Sequence, residues 1–222
     1  QRAEAEAEAR RQREEQARLL REQAEEQKRQ AEAQKRQFAT RLAELKAELE
    51  KYYPPLVAGF FKAGLEGDDA ALKSAVQSMS EFIAPSAADS REEKALLNTF
   101  RAMRQELPKE AANFRNFVNT LALVSEKNSF TLELASRELV DVISIRPGEL
   151  LCRRPGRKAE AFTLNDARVR RQFFSRLEQK LKLKNPEFWF RLMNRQLDGE
   201  TAKLAPAGFW RSNFQVFAGA AK

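Results

Sequence analysis

Residues 38–56 read FATRLAELKAELEKYYPPL, and this stretch divides the chain into two regions of different composition. Its large apolar residues recur at alternating steps of four and three, which is the spacing of one face of a helix. Pro54 and Pro55 end that helix near Tyr52, because proline has no amide hydrogen and restricts the residue before it. The stretch therefore predicts a helix that connects a hydrophilic region to a folded region. We call its apolar residues the seam: Phe38, Leu42, Leu45, Leu49, Tyr52 and Leu56.

The region before the seam is strongly charged. The first 51 residues carry 13 basic and 12 acidic side chains and contain neither glycine nor proline, so one unbroken helix is predicted. Ahead of the seam only Leu19 and Leu20 are large and apolar, which disfavours a self-sufficient coiled coil. We predict a solvated helical arm over residues 1–53.

The seam has to bury its apolar face, and two partners suit it. It docks on the domain that follows, or it pairs with a second copy of the chain or with another helix. In the second case the arm is a site of homo-oligomerisation through Phe38, Leu42, Leu45, Leu49 and Tyr52.

The region after the seam, residues 54–222, is called the head here, and its pattern predicts a compact α+β domain. Apolar spacing near four indicates helices at first, then changes to the alternation typical of strands, and then returns to helices. The whole chain is therefore predicted to be α+β and predominantly helical. The predicted parts of the head are a helical part over 56–126, an antiparallel β-meander over 129–164, and basic, aromatic helices over 165–220.

Local signals place the helices and turns of the head. Asp68 or Asp69 is predicted to cap a helix that runs to Ile83, and a loop follows over 85–89. The capping box Ser90-x-x-Glu93 begins the next helix. We predict that Pro108 opens a third helix, since proline suits a first helical turn. The other predicted boundaries are turns at Pro147-Gly148 and Pro155-Gly156, a cap at Asn165 or Asp166, a helix from Pro186 to Leu197, and a terminal helix from Pro206 to Gly219.

Positive charge is concentrated near the carboxyl end. Residues 146–222 carry 17 basic and 7 acidic side chains, whereas the chain as a whole has a net charge of +8. Such a density attracts phosphate-rich polymers or acidic lipid surfaces, although a solvated helix face has the same composition. The candidate anion-binding residues are Arg153, Arg157, Lys158, Arg168, Arg171 and Lys182.

Two aromatic clusters in the same region suit either core packing or a protein partner. The stretch Phe188-Trp189-Phe190 is apolar on nearly all sides of its predicted helix, and the terminal helix has a similar excess. Tryptophan and arginine are the residue types that dominate binding energy at protein interfaces. The candidate partner-docking residues are Trp189, Phe190, Arg191, Arg195, Trp210 and Arg211.

The residue inventory disfavours catalysis. Histidine is absent, which removes the usual acid/base group near neutral pH and every histidine-containing metal site. The lone Cys152 is interpreted as a small apolar residue on a strand. Glycine-rich phosphate loops, metal-ligand spacings and nucleophile signatures are also missing from the sequence. We therefore predict no catalytic residues, no metal and no cofactor.

These patterns favour a non-catalytic interaction or scaffold module with a helical spacer, part of a larger protein or assembly. Polyanion binding through the basic region, with nucleic acid ahead of acidic lipid, is the alternative. No window is apolar enough to span a membrane. Because position 1 is Gln, we expect a fragment or a processed product with a cytoplasmic location favoured, and an anchor upstream is compatible with the sequence.

Overall fold

A computed structural model describes residues 2–84 and 90–221, with side chains from residue 15 onward except at 17. The predicted mostly helical α+β fold is confirmed. The chain divides into two compact units, Gln1–Glu48 and Leu49–Lys222. The described elements are, in order, α1 (Arg2–Glu50), α2 (Tyr53–Leu65), α3 (Ala70–Ser80), α4 (Arg91–Leu121), β1 (Phe130–Glu133), β2 (Leu139–Arg146), β3 (Glu149–Arg153), β4 (Ala159–Ala161), α5 (Ala167–Leu181), α6 (Pro186–Met193), α7 (Gly199–Leu204) and α8 (Phe209–Ala220).

The predicted unbroken helix of the arm is observed as α1, which has 49 residues. Ion pairs form between side chains four residues apart along this helix, for example between Arg29 and Glu25 at 4.0 Å. Leu19 and Leu20 are 48% and 66% exposed. Along the seam, Phe38 is 37% exposed, whereas the leucines at 45 and 49 are buried. Whether the seam docks on the domain that follows or pairs with another helix stays a prediction.

A new helix begins directly after the two prolines. α1 ends at Glu50, and α2 starts at Tyr53 with its prolines in the first turn, where their missing amide hydrogens cost no helical hydrogen bond. Burial raises the pKa of Tyr53 to about 12, and the nearby Glu50 carboxylate adds to the shift. α2 packs against α3 and α4 as the central element of the helical part.

The structure corrects the prediction at Pro108, which lies inside α4 instead of opening a separate helix. α4 begins at the predicted capping box, which is confirmed: Ser90 Oγ accepts from the Glu93 amide at 3.0 Å, and Glu93 Oε2 accepts from the Ser90 amide at 3.3 Å. Buried residues then follow one face on both sides of the proline. Because that whole face packs inward, the loss of one backbone hydrogen bond does not end the helix. These buried residues include Leu97, Phe100, Met103, Leu107, Ala111, Phe114, Phe117 and Leu121.

Two other predictions near α3 have different outcomes. Asp69 occupies the N-cap position of α3. The helix ends at Ser80, however, so Ile83, predicted as its last residue, lies beyond it and is 90% exposed. The predicted loop over 85–89 lies outside the described residues.

The predicted meander is observed as a four-stranded antiparallel sheet in the order β1-β2-β3-β4. Val142 pairs with Cys152, but Ser144 pairs with Leu151, so Ile143 is the extra residue of a β-bulge. The extra residue shifts the alternation of side chains by one position. Val142 and Ile145 are therefore both buried in the core although they are three residues apart. Cys152 is buried on β3, as interpreted from the sequence.

The last third contains one helix more than predicted, because α6 ends at Met193 and not at Leu197. Arg195 has φ +54, and the amides of Arg195 and Gln196 donate to the carbonyls of Leu192 and Arg191, which is a Schellman motif. Asp198 then caps α7 by accepting from the Thr201 amide at 2.8 Å. The short α7, missed in the sequence, precedes the predicted terminal helix, α8.

Aromatic rings form the centre of the head. Phe60 of α2 stacks on Phe114 of α4 with centroids 5.2 Å apart, and Trp210 of α8 meets both Phe60 and Trp189 edge-on. A second group joins α5, α6 and the sheet around Phe173. Helices from both ends of the head therefore share one core.

Candidate functional site

The six candidate anion-binding residues differ in the partners that the fold gives them. Two of them are engaged with carboxylates: Arg153 with Glu126 at 3.1 Å and Arg168 with Glu133 at 3.3 Å. Arg171 donates to the carbonyl of its own helix at residue 167. The remaining three, within the described part of the chain, have no carboxylate partner: Arg157, Lys158 and Lys182.

Arg157 and Lys158 lie on the β3–β4 turn, which is at the same end of the sheet as the β1–β2 turn. Arg154 links the two turns, since it contacts Glu138 at 3.0 Å and Glu160 at 2.9 Å. This end of the sheet therefore holds both an ion network and exposed cations.

Two of the six candidate docking residues, both tryptophans, are part of the core. Trp189 and Trp210 are 8% and 2% exposed, and Phe190 packs edge-on against Phe173 and Phe174. Three arginines complete the set. Arg191 contacts Glu187 and Asp198, Arg195 places its guanidinium 4.6 Å from the centre of the Phe61 ring, and Arg211 is exposed.

A crevice of about 660 Å³ lies between the β2–β3 turn and the helices α5 and α6. Its arginines are already paired: Arg191 lies 3.3 Å from Glu187, and Arg170 lies 4.0 Å from the same carboxylate. Asp198 is the second anion near Arg191, and the hydrogen bonds it accepts from Thr201 lower its pKa. These ion pairs help to hold the C-terminal helices together, so neither arginine of the crevice is free for an anionic ligand.

A second cavity, of about 400 Å³, combines residues from both candidate sets, and we call it the α4 cleft. Lys182 from the anion-binding set and Trp189 and Trp210 from the docking set line it together. The linker between α5 and α6 and the start of α8 form one side, and the second half of α4 forms the other. The other lining residues are Glu110, Asn113, Asn116, Phe117, Thr120, Leu183, Lys184, Asn185, Pro206, Ala207 and Phe209.

The α4 cleft has an aromatic floor and a polar rim. Trp210 Nε1 donates to Glu110 Oε2 at 2.7 Å, which joins α8 to α4 across 100 residues of sequence. Phe209 is half-buried beside it, with its ring edge-on to Trp210. On the rim, the side chains of Lys182, Lys184, Asn113 and Asn116 are exposed. The backbone at Lys182 is left-handed, with φ +56, where the chain turns from α5 toward α6.

Sequence reasoning missed the wall that α4 contributes. Asn113, Asn116 and Thr120 recur at helical spacing on the side of α4 that is not buried, which marks them as one polar face. That signal was available in the sequence. The pairing of Glu110 with Trp210 was not, because only the tertiary packing brings α4 and α8 together.

A third cavity, of about 490 Å³, is a mainly apolar groove between α3 and α4. At its end Arg115 donates to the Ala63 carbonyl at 2.7 Å and bonds both oxygens of Asp69. The bonds from Arg115 lower the pKa of Asp69. This arginine ties α2, α3 and α4 together, so its role in the fold is structural.

The reactive groups of the described residues are dispersed. Burial raises the pKa of the Cys152 thiol to about 12, which leaves it protonated at neutral pH. No three cysteine or acidic side chains converge as a metal ion would require, within residues 15–84 and 90–221. Over the same parts of the chain, no helix has the length and apolarity needed to cross a membrane.

Comparison with protein-family models, with curated proteins and with solved structures finds no match to this chain. No activity is therefore carried over from another protein, and the geometry of the α4 cleft is the basis for a proposal.

Proposed function

We propose that the chain is a non-catalytic module that binds a protein partner in the α4 cleft of its head, with the arm as a helical spacer. The observation that carries this proposal is the convergence of Lys182, Trp189 and Trp210 on one concave surface. Concave sites with an apolar floor and a few placed polar groups are typical of ligand pockets, and apolar or aromatic-lined grooves also bind peptide segments.

The composition of the α4 cleft supports a protein ligand. Leu183, Pro206 and Phe209 are half-buried and offer apolar contact on its floor. On its rim, exposed amides and ammonium groups can exchange their bound water for polar groups of a partner. Interfaces combine such an apolar centre with a polar rim. Because Trp189 and Trp210 are held in the core, the surface is formed before a partner arrives, which reduces the entropy lost on binding.

The arm supports the spacer part of the proposal. At 1.5 Å per residue, a helix of the length of α1 extends about 73 Å. Its described side chains between 15 and 41 are exposed, so burial of an apolar face cannot be their purpose. Glu-Arg pairs four apart, such as Glu25 with Arg29, stabilise a helix in water without a partner.

The non-catalytic part of the proposal is supported by the lack of histidine in the sequence and by the buried, protonated thiol of Cys152. Glu187 is an example of a charged group of the head that is engaged in ion pairs, with Arg170 and Arg191, and a structural role accounts for it.

Photo-crosslinking tests where a partner binds. A photoreactive amino acid replaces Asn116 in the α4 cleft or, as a matched control, Asn98, which is an exposed asparagine on the same helix outside the cleft. We expect a native-cell extract to give a protein adduct from position 116 but not from 98, and Lys182→Glu with Lys184→Glu to suppress that adduct. Equal adducts from the two positions, or none from either, would contradict the proposal.

The spacer is tested separately by electron–electron distance measurement. Spin labels at Gln16→Cys and Gln37→Cys, with Cys152→Ala, are 21 positions apart, so the two backbone sites should be separated by about 32 Å in a narrow distribution. A broad distribution centred well below that value would show that the arm is not a rod.

A second candidate function, polyanion binding, is favoured by the exposed cations at one end of the sheet. Arg137, Arg157 and Lys158 lie on the two turns that Arg154 links, and none of the three has a carboxylate partner among the described residues. A salt titration with mixed-sequence DNA and RNA tests it. Phosphate-dominated affinity should fall with a log-log slope of about −0.7 to −0.9 per contact and weaken in Arg157→Glu/Lys158→Glu, whereas a flat curve excludes this function.

A further inference from the structure

We infer that the α4 cleft takes an acidic, extended segment of its partner, about four or five residues long, with one apolar side chain on the floor. This inference rests on the proposed function, since it names the chemistry of the partner that the α4 cleft would bind.

The positive charge at the rim of the α4 cleft favours a negatively charged ligand. Its lining carries two cations, Lys182 and Lys184, on the linker between α5 and α6. Glu110 is the one carboxylate among the described residues that line the cleft, and its Oε2 already accepts a hydrogen bond from the Trp210 indole. The ammonium groups at the rim are thus available to carboxylates of an incoming chain, with no internal anion among the described residues paired to them.

The α4 wall sets the form and the length of the ligand. Asn113 and Asn116 expose carboxamides, each of which donates and accepts hydrogen bonds as a peptide backbone does. From Glu110 to Thr120 the wall runs about 15 Å at 1.5 Å per residue. An extended chain advances about 3.3 Å per residue, so about four or five residues match this wall.

The floor accounts for the single apolar side chain. Phe209 is half-buried, and Leu183 and Pro206 are half-buried beside it, which leaves apolar surface at the centre of the α4 cleft. Covering that surface is favourable by about 25 cal/mol per Å² of apolar area removed from water. Acidic residues at the rim and one apolar residue at the centre therefore fit together.

A nucleic acid is the other polyanion to consider, and the α4 cleft suits it less well. Single strands bind by stacking their bases on exposed aromatic faces. Here the two indoles, Trp189 and Trp210, are only 8% and 2% exposed. Two lysines in a narrow cleft also supply few phosphate contacts compared with the six to ten of a typical duplex-binding protein.

The test starts from a phage library of random 12-residue peptides selected on the full chain. We expect enrichment of sequences in which Asp or Glu flank a Leu or an aromatic residue. One selected peptide, labelled with fluorescein, is then titrated by fluorescence anisotropy. Lys182→Gln/Lys184→Gln should weaken its binding about 2- to 30-fold, the range of two exposed ion pairs. The matched control Arg157→Gln/Lys158→Gln should stay within about twofold of the original protein, since it removes the same charge outside the cleft.

Folding and wall contacts have their own controls. Asn113→Ala/Asn116→Ala should also weaken binding of the peptide, because it removes the side-chain amides while keeping the helix. Every variant should keep the urea unfolding midpoint of the original protein. The inference is overturned if no acidic peptide is enriched, or if Lys182→Gln/Lys184→Gln and Arg157→Gln/Lys158→Gln weaken binding equally. It is also overturned if a labelled 20-nucleotide mixed-sequence RNA competes better than the peptide.

The outcomes also separate this inference from the proposed function. Selected peptides that are neutral or basic, yet lose binding in Asn113→Ala/Asn116→Ala, would overturn the acidic class and keep the α4 cleft as a docking site. Peptides that bind equally well to all the cleft variants would overturn both.

Discussion

Gly59 lies where α2 meets the backbone of α3, and replacing it with alanine should destabilise the head. A Cβ at position 59 would lie 2.7 Å from both the Cα and the N of Leu72 and 3.0 Å from the carbonyl carbon of Ala71. Carbon atoms in contact are normally about 3.5 to 4.0 Å apart, so the two helices must separate by about 1 Å. The obstacle is backbone, which cannot rotate away as a side chain can.

The expected size of the effect follows from two opposing terms. Alanine is favoured over glycine inside a helix by about 0.8 to 1.0 kcal/mol. Overpacking costs about 1 to 3 kcal/mol, and a contact with backbone on the central element of the helical part belongs at the upper end of that range. We therefore expect Gly59→Ala to lower the free energy of unfolding by about 1 to 2 kcal/mol.

Gly219 is the matched control, since it also lies in a helix, α8, but outside its own helical turn no heavy atom of the described residues lies within 4 Å of the position of an added Cβ. Gly219→Ala should raise the free energy of unfolding by up to about 1 kcal/mol. Urea unfolding followed by the fluorescence of Trp189 and Trp210 measures both variants, with an unchanged m-value as the check on two-state behaviour. If Gly59→Ala proves as stable as the original protein, the close approach of α2 and α3 is wrong.

Three further predictions concern hydrogen bonding and titration in the head. Glu110→Ala should lower the free energy of unfolding by about 1 to 3 kcal/mol, because it leaves the buried indole N–H of Trp210 without an acceptor. In a double-mutant cycle with Trp210→Phe, measured by urea unfolding, the two effects should be non-additive. Additive effects would mean that the hydrogen bond does not form. The buried Cys152 thiol, with its pKa raised to about 12, should react with a disulfide reagent at pH 8 only after the head is unfolded in urea, and rapid labelling of native protein would contradict its burial. Arg115 lowers the pKa of Asp69 in the folded protein below its value in the unfolded chain. The ionised Asp69 carboxylate therefore stabilises the fold at pH values above its unfolded-state pKa, and this stabilisation is lost as the pH falls through its folded-state pKa. Asp69→Asn should therefore lower the urea midpoint at pH 7 but not in strong acid, and a difference that persists unchanged at low pH would refute the assignment.

If the inference on the α4 cleft is correct, the bond between Glu110 and Trp210 has a second consequence. It engages Glu110, the one carboxylate among the described residues that line the cleft. In Trp210→Phe that carboxylate loses its donor and becomes free to approach Lys182 or Lys184, so an acidic peptide should bind more weakly even where the fold is kept. Stability and specificity would then depend on the same hydrogen bond.

Signals that act over a few residues were sufficient to predict most of the elements. The capping box at Ser90 and Glu93, the glycines of the strand turns at 148 and 156, and the alternation of apolar residues at Phe130 and Leu132 each reflect bonds or side-chain directions inside one element. The arm is the clearest case. Its composition leaves no apolar face before the seam, so a solvated helix follows from the sequence alone.

Which element meets which was decided only by the tertiary structure. Pro108 reads as the start of a helix, yet α4 runs through it because the apolar faces on both sides pack on the same core. Arg153 and Arg168 read as free cations, but the fold brings Glu126 and Glu133 to them. The α4 cleft arises in the same way. Lys182, Trp189 and Trp210 belong to separate elements, and only packing across the whole head, which local periodicity does not encode, places them around Glu110 of α4.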